Sequence, residues 1–202
     1  MTLAASVFAF AACAYAAMRL GALSCRDVVP FADGPATRTP HLPSFVGAAG
    51  VVGGALVLRH ASVLELVISA MLIAALAACC YCDIGWGIVP DEFTLAPLVA
   101  ILALSFFARN VAPLLSSIVV AAPFACVALV SKGRGLGWGD VKLAALIGSV
   151  LGMQMTIVAL SAACFVAAAS AAIRRKRSEP IAFAPYLAGS AAIALALPLT
   201  MR

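Results

Sequence analysis

Gly135-Leu136-Gly137-Trp138-Gly139-Asp140-Val141-Lys142-Leu143 is the stretch on which the reading of this chain turns. Three glycines before Asp140 permit a tight turn and close approach of other groups to the backbone. An apolar run from Val141 to Leu151 follows at once and reads as a segment entering a membrane. A carboxylate at the mouth of such a segment is costly, so its default reading is functional. Its best partner is Asp83, which closes the apolar run ahead of Gly85-Trp86-Gly87-Ile88-Val89-Pro90-Asp91.

The surroundings of both aspartates set the class. Of 202 residues, 65% are hydrophobic and 10% charged, and the mean hydropathy is +1.13. No soluble domain of this length has that composition, so the chain reads as an all-α, polytopic integral membrane protein. The net charge of +5 is then no sign of nucleic acid; its distribution over the loops carries the information. Seven cysteines stand mostly inside apolar runs, as small buried hydrophobes do. Cys79, Cys80 and Cys82 precede Asp83 without the paired spacing or nearby His of a metal site. No metal or organic cofactor is expected.

About eight transmembrane helices follow from the apolar runs. Residues 2–20 carry no leading cation, so they read as an anchor helix with its N-terminus outside, not as a cleaved signal. Residues 21–44 hold Arg26, Asp27, Asp33, Arg38, His41 and Pro30, Pro35, Pro40 and Pro43, a loop too short and Pro-rich for a domain. Residues 45–58 are apolar and Gly-rich, short for a span, and open to a re-entrant reading. Spans at 62–82, 94–107, 111–130, 141–152, 155–173 and 181–199 complete a single transmembrane domain over 1–202. With Asp83 and Asp140 on one side, that side collects Arg19, Arg26, Arg38, Lys132, Arg134, Lys142, Arg174, Arg175, Lys176 and Arg177, ten of the 13 cations. Arg59, Arg109 and Arg202 fall opposite. The positive-inside rule therefore places both aspartates at the cytoplasmic face.

Asp83 and Asp140 are 57 positions apart, yet both lie at cytoplasmic ends of spans. Two carboxylates in one low-dielectric site cannot easily both ionise, so they share a proton. One can then activate water while the other polarises a carbonyl, which is the chemistry of aspartic proteolysis. A helix break at Gly137 and Gly139 would admit water and an unwound substrate backbone. The plainer alternatives are a cap at Asp140 for a helix beginning at Val141, and a helix-end carboxylate reaching water at Asp83. A transporter with a proton relay, or an inactive membrane assembly factor with the same frame, is a third; a transporter would carry further polar residues near midplane.

At these residues the chain resembles a family. Gly137-Trp138-Gly139-Asp140-Val141-Lys142-Leu143 is similar to the Gly-x-Gly-Asp motif, with its following Lys-Leu, of the type IV prepilin peptidases. Asp83 followed by Ile88-Val89-Pro90-Asp91-Glu92-Phe93-Thr94-Leu95 looks like that family's first catalytic stretch. Ile181-Ala182-Phe183-Ala184-Pro185-Tyr186-Leu187-Ala188 resembles its Pro-Phe-Gly-Pro-Tyr-type segment, with Ala182 and Ala184 where Pro and Gly are usual. The matching region is 62–199. The resemblance implies a GxGD-type membrane aspartic peptidase in the bacterial inner membrane, with Asp83 and Asp140 catalytic. Such enzymes cut the short basic leader of prepilins and pseudopilins at the cytoplasmic face, after a Gly that precedes the substrate's apolar helix. Longer members carry two C-x-x-C pairs between the first two spans and also N-methylate the new N-terminus. Only Cys25 stands in residues 21–44, so this chain looks like a short, peptidase-only form.

Neighbouring residues take supporting roles. Lys142 either tunes Asp140 or holds a substrate carbonyl, or else snorkels at the rim. Pro90 fixes the loop into the next span, with Asp91 as a cap near its start. Asp91 and Glu92 would steer a cationic leader. Tyr186 either reaches the site with its hydroxyl or anchors at the interface, and Pro185 opens its helix. The Arg174–Arg177 run reads as a topology signal in contact with lipid headgroups. Expected partners are a prepilin or pseudopilin substrate and membrane lipid, and no nucleic acid.

Overall fold

The computed structural model describes residues 2–28, 42–59, 61–132, 136–174 and 182–197. These form eight helices: α1 (Leu3–Val28), α2 (Leu42–Leu58), α3 (Val63–Trp86), α4 (Asp91–Phe107), α5 (Ala112–Val130), α6 (Trp138–Leu151), α7 (Met153–Arg174) and α8 (Ala184–Ala196). By length and composition α1, α3, α5 and α7 can each cross a membrane, and α2 and α8 are shorter apolar helices. With apolar side chains such as Phe106, Leu115, Ile118, Val158 and Phe165 on the outside, the chain is a polytopic membrane protein.

The helices run alternately up and down, and contacts at both ends show it. At one end Ser6 Oγ near the start of α1 donates to Gly53 O late in α2 (2.8 Å). Arg59, just past α2, donates to Leu195 O near the end of α8 (2.6 Å). At the other end Ser24 Oγ, late in α1, donates to Glu92 Oε2 in the first turn of α4 (3.0 Å). There Ser170 in the last turns of α7 meets Tyr186 in the first turn of α8. The ends of α1, α3 and α7 thus face the starts of α4, α6 and α8, which is the parity expected from the sequence. Residues 42–58 are one unbroken helix, with no re-entrant turn.

The centre is built by α3 and α6. Ser62 caps α3: its hydroxyl accepts from Glu65 N–H (3.2 Å) while the Glu65 carboxylate accepts from Ser62 N–H (2.9 Å). That reciprocal pair is what a Ser-x-x-Glu start encodes. On one side α3 buries Leu72, Leu76, Cys79 and Cys80 with Leu143, Leu146 and Ile147 of α6 and Leu187 of α8. On the other it buries Ile73 and Ala77 with Phe10, Met18, Val52 and Leu56 of α1 and α2. Cys79 and Cys80 serve there as small apolar side chains.

Several helix ends differ from expectation: α3 runs on past 82 to Trp86, α4 starts at Asp91 and not at 94, and α7 starts at Met153 and not at 155. The loop read as 21–44 is narrower, because α1 continues to Val28 and α2 starts at Leu42. No proline interrupts the chain before Pro30, and a residue preceding proline resists helical geometry. The helix expected to begin at Val141 starts at Trp138, and the one expected at 181 starts at Ala184. Residues 29–41 (with Asp33, Arg38 and His41), Arg134, residues 175–181 and the side chains of Arg26 and Arg174 lie outside the described residues.

Candidate active site

Asp83 stands in the last turn of α3, half-buried. The helix closes at Gly87, whose left-handed backbone (φ 68°, ψ 24°) returns its N–H to Asp83 O at 3.0 Å. A glycine takes that conformation without Cβ strain. The chain then leaves through Ile88-Val89-Pro90, outside any helix, and Pro90 (φ −67°, ψ 132°) flanks the start of α4.

The Asp83 carboxylate is held from α8. Oδ2 accepts from Ala184 N–H at 3.1 Å, and the Phe183 backbone donates to the same carboxylate. The first N–H groups of a helix have no partner within it and carry partial positive charge, so a carboxylate suits them. Pro185, second in α8, pre-sets the helical φ and withdraws no N–H that the helix needs.

Asp140 is the third residue of α6 and half-buried. Its Oδ2 accepts from Gly137 N–H at 3.2 Å, bridging back over the first turn. A capping function is therefore present, exerted from inside the helix and on Gly137, not on a helix starting at Val141. The expected break at two glycines becomes one. Gly137 (φ −77°, ψ 153°) is the cap residue, and Gly139 is helical. Gly139 is instead the point of closest approach: a Cβ there would lie 2.6 Å from Val89 Cβ. The α3–α4 segment thereby presses onto the first turn of α6, which brings Asp83 and Asp140 to the same end of the bundle.

A second contact fixes the same arrangement. Lys142 Nζ bonds Asp91 Oδ1 at 2.5 Å, joining the first turns of α6 and α4. Lys142 is thus committed to Asp91 and not to Asp140. Asp91 caps nothing through its side chain, since α4 has no side-chain cap bond. Glu92 is engaged by Ser24. Tyr186 turns its hydroxyl to Ser170 Oγ (2.7 Å) on α7 instead of to the aspartates. Sequence reasoning missed the main-chain donors of Phe183 and Ala184, the role of Val89, and Ser170. Only the Ala184-Pro185 pair carried a local signal, as a helix start with free N–H groups.

Comparison with known proteins gives the family. The type IV leader peptidase family matches residues 70–172, which include both aspartates and stop short of the Phe183–Tyr186 turn. The chain is 32% identical over 149 residues to the "Prepilin leader peptidase/N-methyltransferase" of Bacillus subtilis (strain 168). That alignment covers 68% of this chain and 58% of the relative's length. No solved structure matches. With two aspartates on α3 and α6 at one end of an alternating bundle, and half of its length inside the family's profile, the chain belongs to the type IV leader peptidase family.

Proposed function

We propose that this chain is a membrane aspartic endopeptidase that cleaves the basic leader of type IV prepilins or pseudopilins at the cytoplasmic face. The observation that supports the reading is geometric: Asp83 and Asp140 lie at one end of the bundle, on segments held together by the approach of Val89 to Gly139 and by the Lys142–Asp91 pair. One carboxylate removes a proton from water, and the oxygen attacks the scissile carbonyl carbon. The other carboxyl gives its proton to the carbonyl oxygen. The tetrahedral intermediate then breaks its C–N bond as the leaving nitrogen takes up a proton. The pair titrates as a unit, so the two roles belong to the pair. Backbone donors from Gly137, Phe183 and Ala184 hold both carboxylates in place.

The cytoplasmic assignment rests on the cations: ten of 13 lie at the aspartate end of the sequence-derived topology. The peptidase half of the relative's name is the half proposed, because residues 29–41 between α1 and α2 contain no cysteine. Buried polar side chains within the described helices are all Ser or Thr. Those of Ser117, Ser149 and Thr156 donate to carbonyls of the preceding turn (2.8, 2.7 and 2.6 Å). A midplane relay of ionisable groups, as a transporter needs, is thus not built there.

The test is cleavage of a co-expressed prepilin, followed as a gel shift, with the wild-type chain beside Asp83→Asn and Asp140→Asn at matched membrane levels. Each variant is expected to lose at least about 10²-fold in rate, the scale of acid–base catalysis. Cleavage that survives either change removes that residue from the mechanism.

A further inference from the structure

Between α7 and α8 the bundle is open along much of its depth. A cavity of about 330 Å³ lies there, lined by Ala159, Ala162 and Val166 of α7 and by Tyr186, Gly189 and Ile193 of α8 among others. From Met155 to Val166 on one wall and Pro185 to Leu197 on the other, it runs roughly 16–18 Å at 1.5 Å per residue. Its walls are almost wholly apolar, and the hydroxyl of Ser190 is bonded to Leu187 O at 3.0 Å. A Cβ built on Gly189 meets no atom within 4 Å, so the groove is open at its middle.

The groove ends beside the helical turn that holds Asp83, and neither aspartate lines it. Its upper limit is Pro185 and Tyr186, in the helical turn whose Ala184 N–H holds Asp83. Ser170 pins the Tyr186 hydroxyl across that limit at 2.7 Å. A chain lying in the groove therefore leaves it within one turn of the catalytic carboxylate. Alanine and glycine walls let a helix approach closely, which is how helices pack in lipid.

We propose that the α7–α8 groove seats the first turns of the substrate's apolar helix, beyond the bond that is cut. This rests on the leader peptidase reading given above. The groove supplies binding from a part of the substrate that does not react, and it sets the distance between the substrate helix and the carboxylates.

The test uses the full chain in phospholipid vesicles with a prepilin retaining its apolar helix. A photoreactive phenylalanine derivative is placed at Gly189 or Ala162, and at Val99 on α4 as a control, each with Asp140→Asn to hold the substrate. Adducts with the prepilin are expected from 189 and 162 and not from 99, and a leader peptide lacking the helix should not compete for them. Adducts with lipid alone, or equal yields at 99, overturn the proposal. In otherwise wild-type protein, Gly189→Leu should raise KM for the prepilin about tenfold, the value of burying roughly two methylene groups. Its kcat should stay within about twofold. An unchanged KM overturns the groove alone, whereas a wild-type protein that cuts no prepilin overturns the reading beneath it.

Discussion

Gly139→Ala isolates the contact on which the geometry of the site depends. The new Cβ would lie 2.6 Å from Val89 Cβ, 3.0 Å from Cγ2 and 3.3 Å from Cγ1. Carbon atoms rest about 3.5–4.0 Å apart, so α6 and the α3–α4 segment must part by about 1 Å. Overpacking of this kind costs about 1–3 kcal/mol of stability. Asp140 is the next residue, and a displacement of about 1 Å at a reacting group costs about 10²-fold in rate. Gly137→Ala is the matched control: its Cβ would meet Asp140 Oδ2 at an ordinary 3.6 Å, and φ is −77°. The assay is the initial rate of prepilin cleavage in membranes, with protein level and thermal midpoint measured in parallel. Gly139→Ala should lose about 10²-fold, and Gly137→Ala should stay within about threefold. Because the nearest atom is the Cβ of Val89, Val89→Ala should not rescue Gly139→Ala, and Val89→Gly should. Wild-type cleavage by Gly139→Ala, or equal rescue by both second changes, would refute the reasoning.

Two further perturbations test the other supports. Asp91→Lys and Lys142→Asp should each lower cleavage, and the double exchange should recover most of it; singles that act independently would remove the ion pair from the account. The pair is 28% and 62% exposed, so its loss should cost only about 0.2–1 kcal/mol and barely move the thermal midpoint. Ala184→Pro deletes the N–H that holds Asp83 and, because Phe183 before it is helical (φ −92°, ψ −29°), also disfavours that residue's backbone. A hydrogen bond to a charged group is worth about 1.5–3 kcal/mol, so cleavage should fall roughly 10- to 100-fold. Ala184→Gly keeps the donor and should remain far more active; equal loss in both would show that packing of this buried methyl governs the effect.

The fold was legible from the sequence because a bilayer leaves few choices. Apolar runs of sufficient length become helices, and the cations orient them. Asp140 and Asp83 stand out as candidates for the same reason, as carboxylates where water is scarce. What surrounds them was not. Lys142 and Asp91 are 51 positions apart, and nothing local says that Lys142 turns from Asp140 toward Asp91. The glycines before Asp140 read as permitting a tight turn or a close approach, and only the packed structure shows that it is Val89 that approaches Gly139. Ala184 acts through its main chain, which every residue but proline possesses, so its identity carries no chemical signal. The departure at Ala184 from the usual segment accordingly leaves the donor intact.

The two carboxylates are not equally placed, and the difference explains why α8 belongs to the site. Asp140 sits in the first turn of its helix, where the partial positive charge of the N-terminus favours an anion, and its bond to Gly137 is local. Asp83 sits in the last turn of α3, where unpaired carbonyls disfavour one. Its compensation comes from elsewhere in the chain: the N-terminal N–H groups of α8, 101 positions away, point at its oxygen. The alternating topology delivers that start of α8 to the end of α3, and a bundle of different parity would leave Asp83 without it. Asp140 therefore depends on its own turn, while Asp83 depends on tertiary docking. Changes that loosen α8 should act through Asp83 first, even where they lie outside the region matched by the family.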